Sequence, residues 1–270
     1  MNSNNLPLNQ QKALVTGANS GIGEAVAKAL AAAGATVIVN YVTAPDQAER
    51  VVDDIKQAGG QAYAIQGDVS DPKQVENLFA EAVKTVNTLD ILVNNAGIQR
   101  DSPLVDMTIE QWQAVINVNL TGYFLCSQQA ARIFIKQGVN SSISKAAGKI
   151  ICISSVHQII PWAGHCNYAA SKGGVDQLMR TLAQELAAHQ IRVNSIAPGA
   201  IKTHINQKAW TTPAAEKSLL ELIPDGRVGE PTDIGNVAVW LASDQSDYVQ
   251  GASIFVDGGM CLFPGFTTGG

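Results

Sequence analysis

Apolar runs of strand length alternate along the chain with longer stretches in which apolar residues recur at helical spacing. The runs show no regular polar alternation, which is typical of parallel strands covered by helices on both faces. They read KALVTG, ATVIVNY, QAYAIQGD, LDILVNN, KIICISS, IRVNSIAPG and ASIFVDGG. The pattern predicts an α/β fold in which residues 1–270 form a single doubly wound domain on a seven-stranded parallel sheet, with helices on both faces.

Two segments interrupt this rhythm. Residues 138–148 (GVNSSISKAAG) predict an exposed loop. Residues 201–229 are long and mixed in composition, and we expect a helical lid over a substrate, since long irregular segments in compact domains are usually functional. Asp71, which precedes Pro72, and Thr108 predict the N-caps of two helices.

Composition narrows the possible partners. The chain is 46% apolar and 15% charged, with a net charge of −5 and no basic run, which argues against a nucleic-acid partner. No stretch has the roughly 18 apolar residues of a membrane span, and the polar start MNSNNLPLNQQ is unlike a signal peptide. The four cysteines lack paired spacing and no histidine pattern predicts a metal site, so we expect a cytoplasmic protein without a metal.

The first apolar run leads into the glycine-rich stretch TGANSGIGEAVA. Glycines at this spacing allow a tight turn, a close approach of the backbone to a ligand, and a helix whose first amides face a pyrophosphate. In this position, after the first strand, the stretch predicts a Rossmann-type dinucleotide site for NAD or NADP. The residues expected to contact the cofactor here are Gly17, Asn19, Ser20, Gly21, Ile22 and Gly23.

The end of the second run bears on the choice between the two cofactors. An acid there binds the adenine ribose, whereas an arginine binds a 2′-phosphate. Asn40 and Tyr41 stand at this point and Val42 follows, so neither charge is present and the choice stays open. Asp68 and Val69, after the third run, are placed to flank the adenine ring, although Asp68 would equally suit a cap for the following loop.

The fourth run ends in NNAG, at the crevice where parallel sheets bind ligands. Asn95, Ala96 and Gly97 are small enough to let a flat ring approach the backbone. An ordinary turn is the alternative, because Asn and Gly both favour left-handed conformations.

The stretch YAASK puts Tyr168 and Lys172 four residues apart, and hence on one face of a helix. A phenol with its ordinary pKa of about 10 is a poor base at neutral pH, and a neighbouring ammonium lowers that pKa. We predict Tyr168 as the acid/base group, tuned by Lys172. Ser155 would hold the substrate oxygen, and Asn119 would anchor a water that carries protons out. The alternative is a buried tyrosine packed on the lysine stem.

Taken together, TGANSGIG, NNAG, Asn119, Ser155, YAASK and PGAIKT resemble the short-chain dehydrogenase/reductase family over roughly residues 12–259. The resemblance implies an oxidoreductase with NAD or NADP, in which Lys172 also holds the nicotinamide ribose. It further implies that the nicotinamide carboxamide is cradled by Pro198, Gly199, Ile201 and Thr203. An inactive nucleotide-binding scaffold is the alternative, and the complete set of Asn, Ser, Tyr and Lys argues against it.

Within the family, SSVHQIIPW, PGAIKTHIN and the ending DGGMCLFPGF are most similar to members that oxidise β-D-glucose at C1. The positions that shape the sugar pocket in those members correspond here to Gln99, Ser155, His157, Tyr168, Ile205 and Asn206. Polar groups along the crevice, including Asn167 and His204, favour a polyhydroxylated ring, since unpaired buried amides and imidazoles cost about 1–3 kcal/mol each. The alternative is a 3-oxoacyl thioester reductase or a general ketoreductase, because Gln99 stands where an acid is common.

The stretches NVNLTGYFLCSQQAARIFI and GGVDQLMRTLAQELAA carry more apolar residues than one sheet face needs. In the family these helices form dimer faces, and the last strand with its apolar tail adds a second interface. The resemblance therefore implies a homotetramer whose other partner is a small polar substrate. A monomer that buries both helices internally is the alternative.

Overall fold

The computed structural model describes residues 6–262, so the part of the ending DGGMCLFPGF from position 263 onward lies outside the described residues. A seven-stranded parallel sheet forms the centre of the molecule. Its strands are β1 (Lys12–Val15), β2 (Thr36–Tyr41), β3 (Gln61–Gln66), β4 (Ile91–Asn94), β5 (Gly148–Ile153), β6 (Ile191–Pro198) and β7 (Ser253–Val256). They lie in the order β3-β2-β1-β4-β5-β6-β7, which confirms the predicted sheet.

The helices pack on both faces of this sheet, as the alternating pattern predicted. They are α1 (Gly21–Ala32), α2 (Pro45–Gln57), α3 (Pro72–Val86), α4 (Ile109–Ile116), α5 (Gly122–Gln137), α6 (Cys166–Leu186), α7 (Pro213–Leu220) and α8 (Pro231–Ala242). One apolar core joins α1, α2 and α8 to the sheet, and a second joins α3, α5 and α6 to the opposite face. Asp71 and Thr108 cap α3 and α4, as predicted.

The apolar spacing before β5 is that of one continuous helix, but in the structure this helix is interrupted. A π-helical turn, Asn117–Thr121, joins α4 to α5 and carries Asn119 inward, where its side chain is buried. Such an insertion rotates the residues after it relative to those before it, and π turns are frequent at functional sites. The apolar spacing is too regular to reveal this turn.

The two irregular segments differ in how far they match expectation. Residues 201–229 leave the sheet and return to it, since a bridge between Ile201 and Gly229 closes the segment at its base. It contains α7, in keeping with a helical excursion. The loop 138–148 is only partly exposed, because Ser144 is buried and donates to Asp244 at 2.7 Å, and residues 146–148 are buried as well.

The topology opens a crevice beside β1. The chain order reverses there, since β1 pairs with β2 on one side and with β4 on the other. Ligands of open α/β sheets bind at such a switch point. Gly23 lies at this position, in the first turn of α1. A Cβ on Gly23 would lie 2.4 Å from both the Asn95 side chain and the Gly17 carbonyl, so no other residue fits without displacing them.

We expect Gly23→Ala to destabilise the fold by about 1–3 kcal/mol, the usual cost of overpacking. Gly173→Ala is the matched control, because its nearest neighbour outside the helix, the Gln158 carbonyl, would lie at 3.8 Å. In the control, the helix propensity of alanine should leave the stability unchanged or raise it by up to about 1 kcal/mol. Urea unfolding measures both variants, and equal losses would contradict the close packing described for Gly23.

Candidate active site

The glycine-rich turn fits a phosphate-bearing ligand. Gly17 and Gly21 both have left-handed backbones, with φ of 59° and 58°, which glycine adopts without strain. Ser20 precedes α1 but makes no capping bond with its own side chain within the described structure, so the first amides of the helix stay available to an anion. A helix start of this kind binds pyrophosphate through its amides and its dipole.

The NNAG stretch is tied to this turn rather than forming an independent one. The Asn95 amide donates to the Thr16 carbonyl at 2.9 Å and to the Gly17 carbonyl at 3.0 Å. The Thr16 hydroxyl in turn accepts from the backbone N–H groups of Asn95 and Ala96. Ala96 packs so closely on Gly17 that a Cβ there would lie 3.0 Å from the Ala96 Cα. Asn95 therefore braces the glycine turn with its side chain.

The structure corrects the role expected of Asn40. Its side chain is fully buried, with an exposure of 0%. Its amide oxygen accepts from the Gly17 N–H at 3.2 Å, and its amide nitrogen donates to the carbonyls of Gly67 at 3.0 Å and Ile65 at 3.3 Å. Both ends of the amide are engaged, so Asn40 holds the glycine turn to the end of β3 and is not free to bind a ribose.

The residues after Asn40 form the surface that a ribose would meet. Tyr41 is half-buried and packs against the core. Val42 is 41% exposed and lies at the surface directly after β2. Asn19 donates to the Thr43 carbonyl at 3.1 Å, which fixes this edge to the glycine turn. Of positions 40 and 42, only position 42 presents its side chain at this surface.

The side chains of Asp68 and Val69 make contacts within the protein, and the adenine contacts expected of them stay a prediction. The Asp68 carboxylate accepts from the Ser70 N–H at 2.8 Å and from the Ser70 hydroxyl at 2.7 Å, so it caps the following loop. Val69 is buried and packs on Gly122, where a Cβ would lie 2.9 Å from a Val69 methyl. The Val69 side chain thus belongs to the core.

Two cations lie beside the glycine turn. Arg50 of α2, which no sequence motif indicated, and Lys202, the lysine of PGAIKT, line a cleft of about 320 Å³ together with the start of α1. Each is ion-paired, Arg50 with Glu24 at 3.3 Å and Lys202 with Glu230 at 2.6 Å. Glu24 lines the same cleft, so its carboxylate offsets positive charge there. The two cations come from distant segments, so their proximity is set by the fold and not by spacing.

Three of the residues predicted to do chemistry meet at the carboxyl end of β5. The Lys172 ammonium donates to the Ile153 carbonyl at 2.8 Å and lies 5.6 Å from the centre of the Tyr168 ring. Ser155 follows β5 closely and its hydroxyl faces the Tyr168 phenol. The same hydroxyl accepts from the His157 N–H at 3.2 Å, which fixes its position.

Burial governs the ionisation of this cluster. Removal from water raises the pKa of the Tyr168 phenol, the hydrogen bond from Ser155 offsets part of that rise, and the Asp101 carboxylate adds to it. Burial also lowers the pKa of Lys172 to about 8. The Lys172 ammonium donates to the Ile153 carbonyl, and that it lowers the phenol pKa stays a prediction.

Asn119 lies in the π turn with its amide fully engaged. Its oxygen accepts from the Ile98 N–H at 2.8 Å, and its nitrogen donates to the Ile98 carbonyl at 3.0 Å and to the Ser171 hydroxyl at 3.2 Å. A water that carries protons would therefore have to bind a main-chain group of this turn. The Asn119 side chain instead joins the loop after β4 to α6.

The amides expected to line a sugar pocket are engaged inside the protein. Asn167 donates to the Arg100 carbonyl at 2.8 Å and accepts from the Tyr168 N–H at the same distance. The Asn206 oxygen accepts from the Thr203 N–H at 3.1 Å and from the Trp210 indole at 3.2 Å. Asn167 is thus engaged at both ends of its amide, whereas Asn206 is engaged through its oxygen, which holds the start of the segment 201–229 together.

The remaining substrate candidates lie at the surface of the crevice. Gln99 is half-buried, and His204 and Ile205 are exposed. The His157 ring stacks on Trp162 at a centroid distance of 4.2 Å.

The segment expected to cradle a carboxamide lies across the crevice from the glycine turn. The Thr203 methyl would lie 3.5 Å from a Cβ on Gly21, and Gly199 packs against Asp257, whose Cα would lie 2.8 Å from a Cβ there. Pro198 ends β6. Ile201 is buried in the core, so its side chain does not face the crevice.

Within residues 6–262, no helix has the length and apolar character needed to cross a membrane. In the same range, His, Cys, Asp and Glu side chains nowhere gather in threes as a metal site.

Comparison with known proteins gives matches along nearly the whole chain. A family model described as enoyl-(acyl carrier protein) reductase matches residues 17–261. The 3β-hydroxysteroid dehydrogenase 1 of Eggerthella lenta is 47% identical over 256 residues, which cover 95% of each chain. Glucose 1-dehydrogenase 2 of Bacillus subtilis is 38% identical over 258 residues, covering 95% of this chain and 97% of that one.

A solved structure agrees with these matches. The gluconate 5-dehydrogenase of Burkholderia cenocepacia J2315, in complex with NADP and tartrate, superposes with a TM-score of 0.87 at 35% identity, over 96% of this chain and 98% of that one. Sequence and fold thus agree over almost the full length, and the chain belongs to the short-chain dehydrogenase/reductase family, whose members are oxidoreductases of CH–OH and carbonyl groups.

Proposed function

We propose that the protein interconverts a secondary alcohol and a carbonyl compound with NAD or NADP as the hydride carrier. The observation that carries this proposal is the meeting of Ser155, Tyr168 and Lys172 beside a glycine turn with uncapped amides. The NADP bound to the related gluconate 5-dehydrogenase supports the same cofactor class here. A retired nucleotide-binding scaffold would have no need for an oriented Ser155 hydroxyl or a buried Lys172 ammonium.

The bound cofactor would supply or accept the hydride, and the protein would manage the proton. Burial keeps the Tyr168 phenol protonated at neutral pH, so it is ready to donate to a carbonyl oxygen. Ser155 would hold that oxygen through its hydroxyl. Lys172, anchored on the Ile153 carbonyl, would keep positive charge near the developing alkoxide. Asn119 would keep the loop after β4 in place beside the phenol.

The identity of the substrate is the more specific part of the proposal. The relative named for glucose supports the sugar prediction, oxidation of β-D-glucose at C1. The engagement of the Asn167 amide within the protein removes one of the polar groups on which that prediction rested. The hydroxysteroid dehydrogenase and the description of the family model support a ring alcohol and an acyl thioester, respectively. We propose that residues 201–229 close over the substrate as a lid of the single domain.

Replacing the acid/base group tests the proposed function. Tyr168→Phe keeps the ring and removes the hydroxyl, so we expect turnover to fall by about 10² to 10⁴ while cofactor binding is kept. Nicotinamide absorbance with a panel of sugars, ketones and an acetoacetyl thioester measures turnover. Tyr63→Phe removes a partly exposed phenol from β3 and serves as the control. Near-normal turnover of Tyr168→Phe would refute the proposed mechanism.

Cofactor choice gives a second prediction. With no charge at position 42, we expect the protein to use NAD and NADP within about a hundredfold of each other in kcat/KM. Val42→Arg should raise kcat/KM for NADP by at least about tenfold, through a charge-assisted contact with the 2′-phosphate.

Asn40→Asp separates this account from the simpler expectation of a ribose contact. A carboxylate has no N–H for the carbonyls of Ile65 and Gly67, so stability should fall by about 1–3 kcal/mol and both cofactors should bind more weakly. Selective loss of NADP at unchanged stability would mean that position 40 faces the ribose after all.

Assembly gives a further prediction. We propose a homotetramer, supported by exposed apolar side chains on α5, where Phe124 and Ile135 are 44% and 45% exposed. Light scattering at micromolar concentration should give four times the chain mass of 28.4 kDa. The double variant Phe124→Glu, Ile135→Glu should dissociate it, whereas Leu222→Glu, at a position in 201–229 that is 55% exposed, should not. A monomer in the unaltered protein would contradict the proposal.

We also propose that the protein is located in the cytoplasm. The four cysteines are free thiols, two of them buried, in keeping with a reducing compartment. Burial raises the pKa of the Cys126 and Cys152 thiols to about 12, which makes them inert core residues.

A further inference from the structure

Three aromatic rings form a stack next to Tyr168. The Trp162 indole lies between two histidine rings, with centroid distances of 4.2 Å to His157 and 3.5 Å to His165. The rings are nearly parallel, with interplanar angles of 16° and 5°. We call these three residues the aromatic stack. Because both faces of the indole are covered, its remaining exposed area, 38% of the residue, lies at its edge.

The aromatic stack stands directly beside the group proposed to transfer the proton. The Trp162 ring centre is 6.3 Å from the Tyr168 ring centre, and the two planes cross at 81°. The His157 ring lies at the same distance from Tyr168, at 69°. Such edge contacts are a favoured arrangement of aromatic rings. When the oxygen of a substrate contacts Tyr168 and Ser155, the rest of the substrate therefore either lies against this stack or is directed away from it.

Four contacts fix the aromatic stack. The His157 N–H donates to the Ser155 hydroxyl, and its ring nitrogen Nδ1 lies 3.1 Å from the Ile160 carbonyl. On the other side, His165 Nε2 lies 3.3 Å from the Asp101 carboxylate. The loop that carries Asp101 is joined to the same region by the Ser102 N–H, which donates to the Gly164 carbonyl at 3.0 Å. The stack is thus a rigid wall and not a mobile side chain.

An engaged amide and an apolar side chain lie along this wall. Asn167, directly before Tyr168, donates to the Arg100 carbonyl and accepts from the Tyr168 N–H, so its amide is used within the protein. Burial lowers the pKa of His157, which favours the neutral ring, and its Nδ1 is engaged with the Ile160 carbonyl. Ile159, on the same loop as Trp162, is exposed. A hydroxyl buried against Ile159 or the edge of Trp162 would lose its water without gaining a partner.

We propose that the exposed edge of Trp162, clamped between His157 and His165, determines substrate specificity and selects secondary alcohols and ketones carried on a rigid, fused apolar ring. The inference rests on the proposed oxidoreductase function and deepens it. A rigid wall contacts a rigid ring over its whole length. A flexible chain of the same carbon count must first lose its rotational freedom to make the same contact.

A matched set of substrates tests this preference. The compounds are trans-decahydro-2-naphthol and 2-decanol, both ten-carbon secondary alcohols, together with D-glucose as a polar ring. We expect kcat/KM for the fused ring to exceed those for the chain and for glucose by at least about tenfold each. A preference of the unaltered protein for 2-decanol or for glucose would overturn the proposal.

Variants of the wall then identify the residue responsible. Trp162→Ala should raise KM for the fused ring by about tenfold, leave its kcat within about threefold, and remove the preference over 2-decanol. Trp162→Phe keeps an apolar edge between the two histidines and should keep the preference. Tyr248→Ala, which truncates a fully exposed aromatic side chain before β7, should behave like the unaltered protein.

The outcomes separate the two proposals. An equal fall in kcat/KM for all substrates in Trp162→Ala would mean that the aromatic stack only supports Tyr168, which overturns the specificity role alone. Loss of the preference in Trp162→Phe would assign it to the indole N–H and also overturn the apolar wall. If no alcohol, ketone or thioester is turned over, the proposed function and the inference fall together.

Discussion

The carbonyl oxygen of Ile153 is the contact on which the rest of the site depends. It ends β5 and accepts two hydrogen bonds, from the Lys172 ammonium at 2.8 Å and from the Tyr123 phenol at 3.0 Å. These donors belong to α6 and α5, so one carbonyl joins both helices to the sheet. Tyr168 lies one helical turn before Lys172, and Ser155 follows Ile153 closely. Fixing this lysine therefore fixes the distance between the proposed proton donor and the residue that would hold the substrate oxygen.

The same contact places an ammonium where water is excluded, and ionisation follows from that burial. The pKa of Lys172 falls and that of Tyr168 rises, because each group is favoured in its neutral form. Most other polar side chains of the crevice are used to hold backbone, as in the case of Asn40 and Asn119. The wall beside Tyr168 is formed by the stacked ring of Trp162, and the specificity proposed above depends on the shape of this wall.

The fold could be predicted from the sequence because parallel strands covered on both faces leave an unmistakable record of apolar runs separated by helical spacing. The placement of Tyr168 and Lys172 on one helix could likewise be predicted from their spacing, since both lie on α6. The direction of Asn40 could not be predicted, because in a strand with two buried faces either direction is compatible with the pattern. The aromatic stack was missed for a different reason: its rings come together through loop geometry, which follows from contacts such as that between Asp101 and His165.

The central claim is that burial sets the protonation of the site, and the titration of Lys172 tests it most directly. Side-chain NMR of isotope-labelled lysines across the alkaline range reports each ammonium separately. Burial lowers the pKa of Lys149 to about 8 as well, so the Lys172→Met variant is needed to identify the Lys172 signal. We predict that the signal lost in that variant titrates near pH 8, against about 10.4 for a solvated lysine. If the missing signal instead titrates above pH 10, Lys172 is solvated or paired with an anion, and the account of the site is contradicted.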